Sequence, residues 1–263
     1  VYFMGLEMKK MVRDVIYIYI ILLFVFGCMN IKTHKANNDN NYFKKQTDHR
    51  YKIGIDNFVY MSKKHKLKIG CSEDTGDPIC DPVTSSVASG LVFSSDNKSI
   101  FVLTAAHFCK KDDHLGLSEE IIGTAKDQDR VLTIISINKK TDICLLIGVK
   151  YKNETFNQIA LQRSEPELGS DVYTVAGPNG FGGPGLRPVF VGKFAGCDDY
   201  HCMSTIPATF GSSGAGIYTI DGKLITIVMA VPKEFNNLVL SPSQVDIHKF
   251  IRNIDDTVDI YSY

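Results

Sequence analysis

The sequence has no tryptophan and no surplus of either charge. The first absence decides nothing about fold or function. The second does: 29 Lys and Arg balance 29 Asp and Glu over 263 residues. A chain without net charge has no broad field to draw in a nucleic acid or an anionic surface. Long helical periodicity is also lacking. Only Ser241 to Ile254 carries it, with Val245, Ile247, Phe250, Ile251 and Ile254 at roughly helical spacing. The N-terminal apolar run, Val15 to Phe26, is twelve residues long. An untilted bilayer span needs about 20, so the run is too short for one.

What surrounds that run gives it a meaning. Lys9, Lys10 and Arg13 precede it and Gly27-Cys28 closes it, the order of a signal peptide with a basic and then an apolar region. Val25-Phe26-Gly27-Cys28 is similar to a bacterial lipobox, with Phe26 larger than usual at its position, and this makes Cys28 the lipidation candidate. The next stretch, Met29 to Lys52, is rich in asparagine and lysine and too polar to fold alone, so it reads as a tether. The expectation is an exported protein, either secreted or held at a membrane through its N-terminus.

Export bears on the cysteines. Beyond Cys28, Cys71 with Cys80 and Cys197 with Cys202 are close enough to staple turns in an oxidising compartment. Cys109 and Cys144 stay open between a bridge and free thiols. Cys197, His201 and Cys202 also suggest zinc, but without a fourth ligand at a recognisable spacing a disulfide ranks higher and no metal is expected.

From Val83 on, short β-type runs alternate with turn signals: 87–93, 100–105, 131–137, 143–149, then 171–176, 189–194, 216–220 and 224–231, with Asp221-Gly222 as a hairpin signal. Closely spaced strands without helices between them imply a sandwich or barrels. The polar link near residues 162–169 divides them into two units with a cleft between.

Three short segments then carry chemistry. A serine hydroxyl is a poor nucleophile unless an imidazole takes its proton and a carboxylate holds that imidazole in the right tautomer. His107 follows the apolar strand Phe101-Val-Leu-Thr-Ala-Ala, which would carry it to a barrel edge. The other histidines lie in the tether, among lysines, or beside polar or helical neighbours. Asp142 stands 35 residues later, at the head of Ile-Cys-Leu-Leu-Ile; Asp127 and Asp129 compete from a polar loop. Ser213 is framed by Gly211, Gly214 and Gly216, which allow a strained turn with the N–H groups of Gly211 and Ser213 aimed at one developing oxyanion. Ser212 is the alternative nucleophile. The order His, Asp, Ser argues against an α/β-hydrolase, where the serine comes first.

With these motifs in hand, the chain resembles the trypsin-like (chymotrypsin-fold) serine peptidases over residues 83–232. The resemblance rests on Ser89-Gly-Leu-Val-Phe, Leu-Thr-Ala-Ala-His107, Thr-Asp142-Ile-Cys-Leu-Leu and Gly211-Ser-Ser213-Gly, with Val175-Ala-Gly-Pro-Asn-Gly-Phe-Gly-Gly as a matching Gly-rich loop. It implies an all-β fold of two packed antiparallel β-barrels with a short C-terminal helix. Its divisions would be a targeting segment to residue 27, a tether over 28–60, a first barrel over 61–162 with His107 and Asp142, a second over 163–240 with Ser213, and a helix and tail over 241–263. It implies a serine endopeptidase acting on protein or peptide without a cofactor. Pro207, Ala208, Thr209 and Phe210 would wall the specificity pocket, and Met229, Ala230 and Val231 would pair with the substrate backbone.

The sequence departs from the family pattern in places. Ser212 replaces the aspartate with which digestive relatives bind a newly freed N-terminus, which puts that mode of activation in doubt. Cys109 is one residue further from His107 than the usual cysteine, which puts the usual disulfide in doubt. The rival expectation is a catalytically silent barrel that binds peptides or a surface partner.

Overall fold

The apolar runs around residues 100–105 and 143–146 are strands with two buried faces. In this computed structural model, which describes residues 49–67, 83–110, 117–182, 185–233, 235 and 237–255, they lie at the junction of two β units. Strands β1 (Phe58–Leu67), β2 (Val83–Ser95), β3 (Ser99–Ala105), β4 (Leu117–Ala125), β5 (Gln128–Asn138) and β6 (Ile143–Val149) close a barrel in the order β1-β2-β3-β6-β5-β4. Every pairing in it is antiparallel. Ile100 and Val102 of β3, with Cys144 and Leu146 of β6, fill its interior. The alternate residues Phe101, Leu103, Ile143 and Leu145 face outward into a second cluster. Period-2 alternation on a strand buried on both sides yields continuous hydrophobicity, so these runs show no polar partner face.

The second unit comprises β7 (Asp171–Val175), β8 (Val189–Cys197), β9 (His201–Ser204), β10 (Gly216–Thr219), β11 (Leu224–Ile227) and β12 (Val239–Pro242), in the order β11-β10-β7-β8-β9-β12. It curls toward closure where Ala230, just beyond β11, pairs with Leu240 of β12. Val172, Ile217 and Ile225 point into this half-barrel. Tyr173, Val175, Tyr218, Leu224 and Ile227 point the other way and join Phe101 and Leu103 between the units. The fold is thus all-β and chymotrypsin-like: a closed six-stranded barrel, a second half-barrel and few helices.

Among the described residues the α-helices are α1 (Lys52–Asn57), a single turn α2 (Ala106–Cys109) and α3 (Gln244–Asp255). The amphipathic C-terminal segment forms α3, whose Ile247, Phe250 and Ile251 seal the inter-unit cluster. Residues 49–60, read above as the end of a tether, contain α1 and the start of β1. Gly54 donates its N–H to the Tyr173 hydroxyl at 3.3 Å, and the buried Asn57 amide donates to the carbonyls of Val92 and Asn157. Tyr51 meets Tyr173 edge-on, and Tyr173 stacks on Tyr218 with ring centroids 5.1 Å apart. Burial pushes the Tyr173 hydroxyl up to about 12. Strands β1, β4, β9 and β12 carry less apolar or more charged sequence and were not visible as separate runs. Among the described residues, no helix is long and apolar enough to cross a membrane.

Candidate active site

Strand β3 runs straight into α2, so His107 emerges from the barrel at the first turn after a fully buried strand. Its side chain is half exposed, whereas that of Asp142 is only 17% accessible. Asp142 ends a turn between β5 and β6. The Asn138 side-chain oxygen shapes the turn by accepting the N–H groups of Lys140 and Thr141. That leaves Asp142 at φ 54°, a left-handed conformation costly for a residue with a Cβ and common where a functional group has to be aimed.

The Asp142 carboxylate accepts two bonds from His107. One oxygen takes the backbone N–H at 2.7 Å and the other faces Nδ1 at 2.8 Å. The Asp142 carbonyl also accepts the Ala106 N–H at 3.0 Å. An ionised carboxylate only accepts, so Nδ1 carries the proton and Nε2 is left as a lone-pair base. A disulfide between Cys109 and Cys144 repeats the same link two residues further along both segments. The pair left open by the sequence is therefore bridged, one residue of extra spacing notwithstanding: the turn of α2 lays Cys109 against β6.

Ser213 comes from the other unit. Its carbonyl accepts the N–H of Ser89 on β2 at 2.9 Å. The next residue, Gly214 (φ 84°), is pressed so closely against β3 that a Cβ there would lie 2.1 Å from Thr104 Oγ1 and 2.8 Å from Ala105 N. Only glycine fits that approach, and it brings the Ser213 loop against the strand end that carries His107. Ser213 is partly exposed. Ser212 is buried, with its hydroxyl oxygen accepting the Thr209 N–H.

Two peptide planes of this loop are fixed through their carbonyls. The Phe210 carbonyl accepts the N–H of Asn179 at 2.6 Å, and the Ser212 carbonyl accepts that of Ala215 at 3.1 Å. In a trans peptide the N–H points opposite the carbonyl, so the N–H groups of Gly211 and Ser213 face away from those partners. Among the described residues neither has an acceptor. Gly211 holds φ 89°, and a Cβ on it would meet the Gly177 carbonyl at 2.6 Å.

Of the residues expected to wall a pocket, Ala208 is buried while Pro207, Thr209 and Phe210 are exposed. Ala230 donates to and accepts from Leu240. The carbonyl of Met229 and both backbone groups of Val231 meet no partner among the described residues. Cys197 and Cys202 form a disulfide across the β8–β9 hairpin, which uses the thiols that a zinc site would need. Cys28, Cys71 and Cys80 lie outside the described residues.

Residues 88–227 match the trypsin-like peptidase domain. The chain belongs to the trypsin-like peptidase family. No match is found among curated proteins. Among solved structures, the chain is similar to a serine endoprotease from Yersinia pestis, with a TM-score of 0.57 and 15% identity. That match covers 78% of this chain and 65% of the other, so the chain spans about two thirds of that protein's length. It is also similar to a mutant of Rv3671c from M. tuberculosis H37Rv in an inactive form, with a TM-score of 0.56, 14% identity, and 81% and 93% of the two chains covered. These likenesses support the fold. Two disulfides are what a trypsin-like chain carries when it matures in an oxidising compartment.

What the sequence did not disclose is Ser89 as a contact of the Ser213 loop. It was visible only as part of a strand motif, because nothing local says which loop a strand residue will meet.

Proposed function

We propose that this trypsin-like peptidase is a serine endopeptidase in which His107, Asp142 and Ser213 act as one unit. The reading is carried by the His107–Asp142 pair: a carboxylate that fixes both the backbone and Nδ1 of a half-exposed imidazole leaves Nε2 as a positioned base. Ser213 Oγ attacks the peptide carbonyl as its proton passes to Nε2 of His107. The N–H groups of Gly211 and Ser213 receive the oxyanion. The C–N bond then breaks, the amine leaves with the proton from Nε2, and water releases the acyl group by the same route in reverse. A binding scaffold has no use for a carboxylate-held imidazole beside a glycine-framed serine.

Substrate would add along Met229, Ala230 and Val231 as an extra strand, bonded by the Met229 carbonyl and the two Val231 backbone groups, a mode that takes affinity from the main chain and selectivity from side-chain pockets. The walls from Pro207 to Phe210 carry no charge, which supports a small or apolar residue before the cleaved bond. Export is supported by the Lys9–Arg13 and Val15–Phe26 segments, with lipid at Cys28 as the tethered form.

Incubation with a mixed peptide library, read by mass spectrometry, tests the activity. Internal cleavages after small or apolar residues are expected, and none with Ser213→Ala. An intact library, or equal cleavage by Ser213→Ala, would leave only the scaffold.

A further inference from the structure

The Ser213 loop lacks the charge that could anchor it. Ser212 carries no carboxylate, and among the described residues its buried hydroxyl is engaged only by the Thr209 N–H. Two peptide planes of the loop, those of the Gly211 and Ser213 carbonyls, are instead bonded by one residue of the opposite unit. Ser89 is fully buried. Its N–H donates to the Ser213 carbonyl at 2.9 Å, and its hydroxyl donates to the Gly211 carbonyl at 2.8 Å. The same hydroxyl oxygen accepts the Gly177 N–H at 2.9 Å, at the root of the loop whose Asn179 N–H holds the Phe210 carbonyl. Ser89 is itself fixed by Thr104, whose hydroxyl donates to its carbonyl at 2.8 Å.

We propose that Ser89 is the positioning residue of the Gly211–Ser213 loop: from the first barrel it clamps the Gly211 carbonyl, which lies between the two oxyanion-binding N–H groups, and the Ser213 carbonyl, which follows them, and so keeps those groups aimed. This rests on the peptidase reading above. Without the hydroxyl, the buried Gly177 N–H and Gly211 carbonyl both lose their partner. An unpaired buried pair of this kind is costly enough to favour a shift of the Gly211–Ser212 peptide, the link between the two donor-bearing peptides. Such a shift would spread the two donors while leaving the His107 and Asp142 side chains in place. Ser89 thus does by neutral hydrogen bonds what an ion pair to a charged residue at position 212 would do, and its grip does not depend on a freed N-terminus.

The test is phosphonylation by a fluorophosphonate, whose phosphoryl oxygen occupies the same donors as a substrate oxyanion. With the full chain, the wild type is expected to be labelled at Ser213. Ser89→Ala should lower the maximal inactivation rate by about 10- to 100-fold with little change in the half-saturating probe concentration. Thr174→Val is the control for general softening, because it removes another buried hydroxyl, one that donates to the Gly216 carbonyl at 2.8 Å. It should stay within about threefold of wild type even where its melting temperature falls as far. Ser89→Cys, nearly isosteric with a weak donor, should fall between wild type and Ser89→Ala, and it carries the test if the alanine variant does not fold. Wild-type rates in Ser89→Ala or Ser89→Cys, or an equal loss in Thr174→Val, would overturn the positioning role and leave the peptidase standing. An unlabelled wild type would overturn both.

Discussion

At the residue scale the site divides labour by burial. Asp142 is largely shielded, whereas His107 is half exposed and Ser213 partly exposed, the division that the proposed roles call for. If the three act together, Ser213→Ala and His107→Ala should each reduce turnover by a factor on the order of 10⁶ in a peptide-cleavage assay, with no further loss in the double variant. Additive losses would mean that the two groups do not share a step. Ser212→Ala should keep most of the activity, since its hydroxyl is buried against Thr209. A collapse of activity in that variant would shift the nucleophile by one residue. If Pro207 to Phe210 wall the pocket as proposed, their lack of charge leads to a third expectation: substrates with Ala, Val or Leu before the cleaved bond should be cut faster than those with Arg or Asp. A preference for Arg or Asp would show that other loops set specificity.

At the element scale the decisive piece is the turn α2. It is too short to be stable alone, and it is held by the Ala106 N–H on the Asp142 carbonyl and by the Cys109–Cys144 bridge. Cys109→Ala with Cys144→Ala removes a cross-link over 35 residues and should lower the unfolding free energy by about 3–4 kcal/mol in urea titrations, while the His107–Asp142 bonds keep the folded enzyme active. An unchanged midpoint would mean that the thiols are free. Strands β3 and β6 and the turns around the Ser213 loop were legible because their signal is local: an apolar run bounded by turn residues. The C-terminal helix was legible from its period. Strand β1 was not, because Lys63, Lys64 and His65 disguise it. Lys63 is buried by pairing with Glu119 and by donating to the Lys110 carbonyl, partners that only the closed barrel supplies. The Ser89 contacts and the packing of Phe101 and Leu103 with Tyr173 and Tyr218 between the units are long-range in the same way, and no pattern along the chain encodes them.

At the scale of the whole molecule, one charged pair fixes the first barrel far from any chemistry. Arg130 and Glu154 are both nearly inaccessible and share two bonds, with Arg130 also donating to the carbonyls of Val149 and Ala125 and lying under the Tyr151 ring. Burial alone would raise the Glu154 carboxyl; the Arg130 bonds outweigh it and hold the carboxyl below its ordinary value. A depressed folded value means that its stabilisation is present above the unfolded value of about 4.3 and is lost as pH falls through the folded one. Urea midpoints measured from pH 7 down to pH 3 should therefore show a steeper acid loss in wild type than in Glu154→Gln. Parallel curves would contradict that assignment. The central claim is that two barrels meet to make one nucleophile. It is tested most directly by labelling the native protein with a fluorophosphonate and mapping the adduct by mass spectrometry. A single adduct on Ser213, absent after denaturation and in His107→Ala, is the predicted result; no adduct, or one on Ser212, would contradict it.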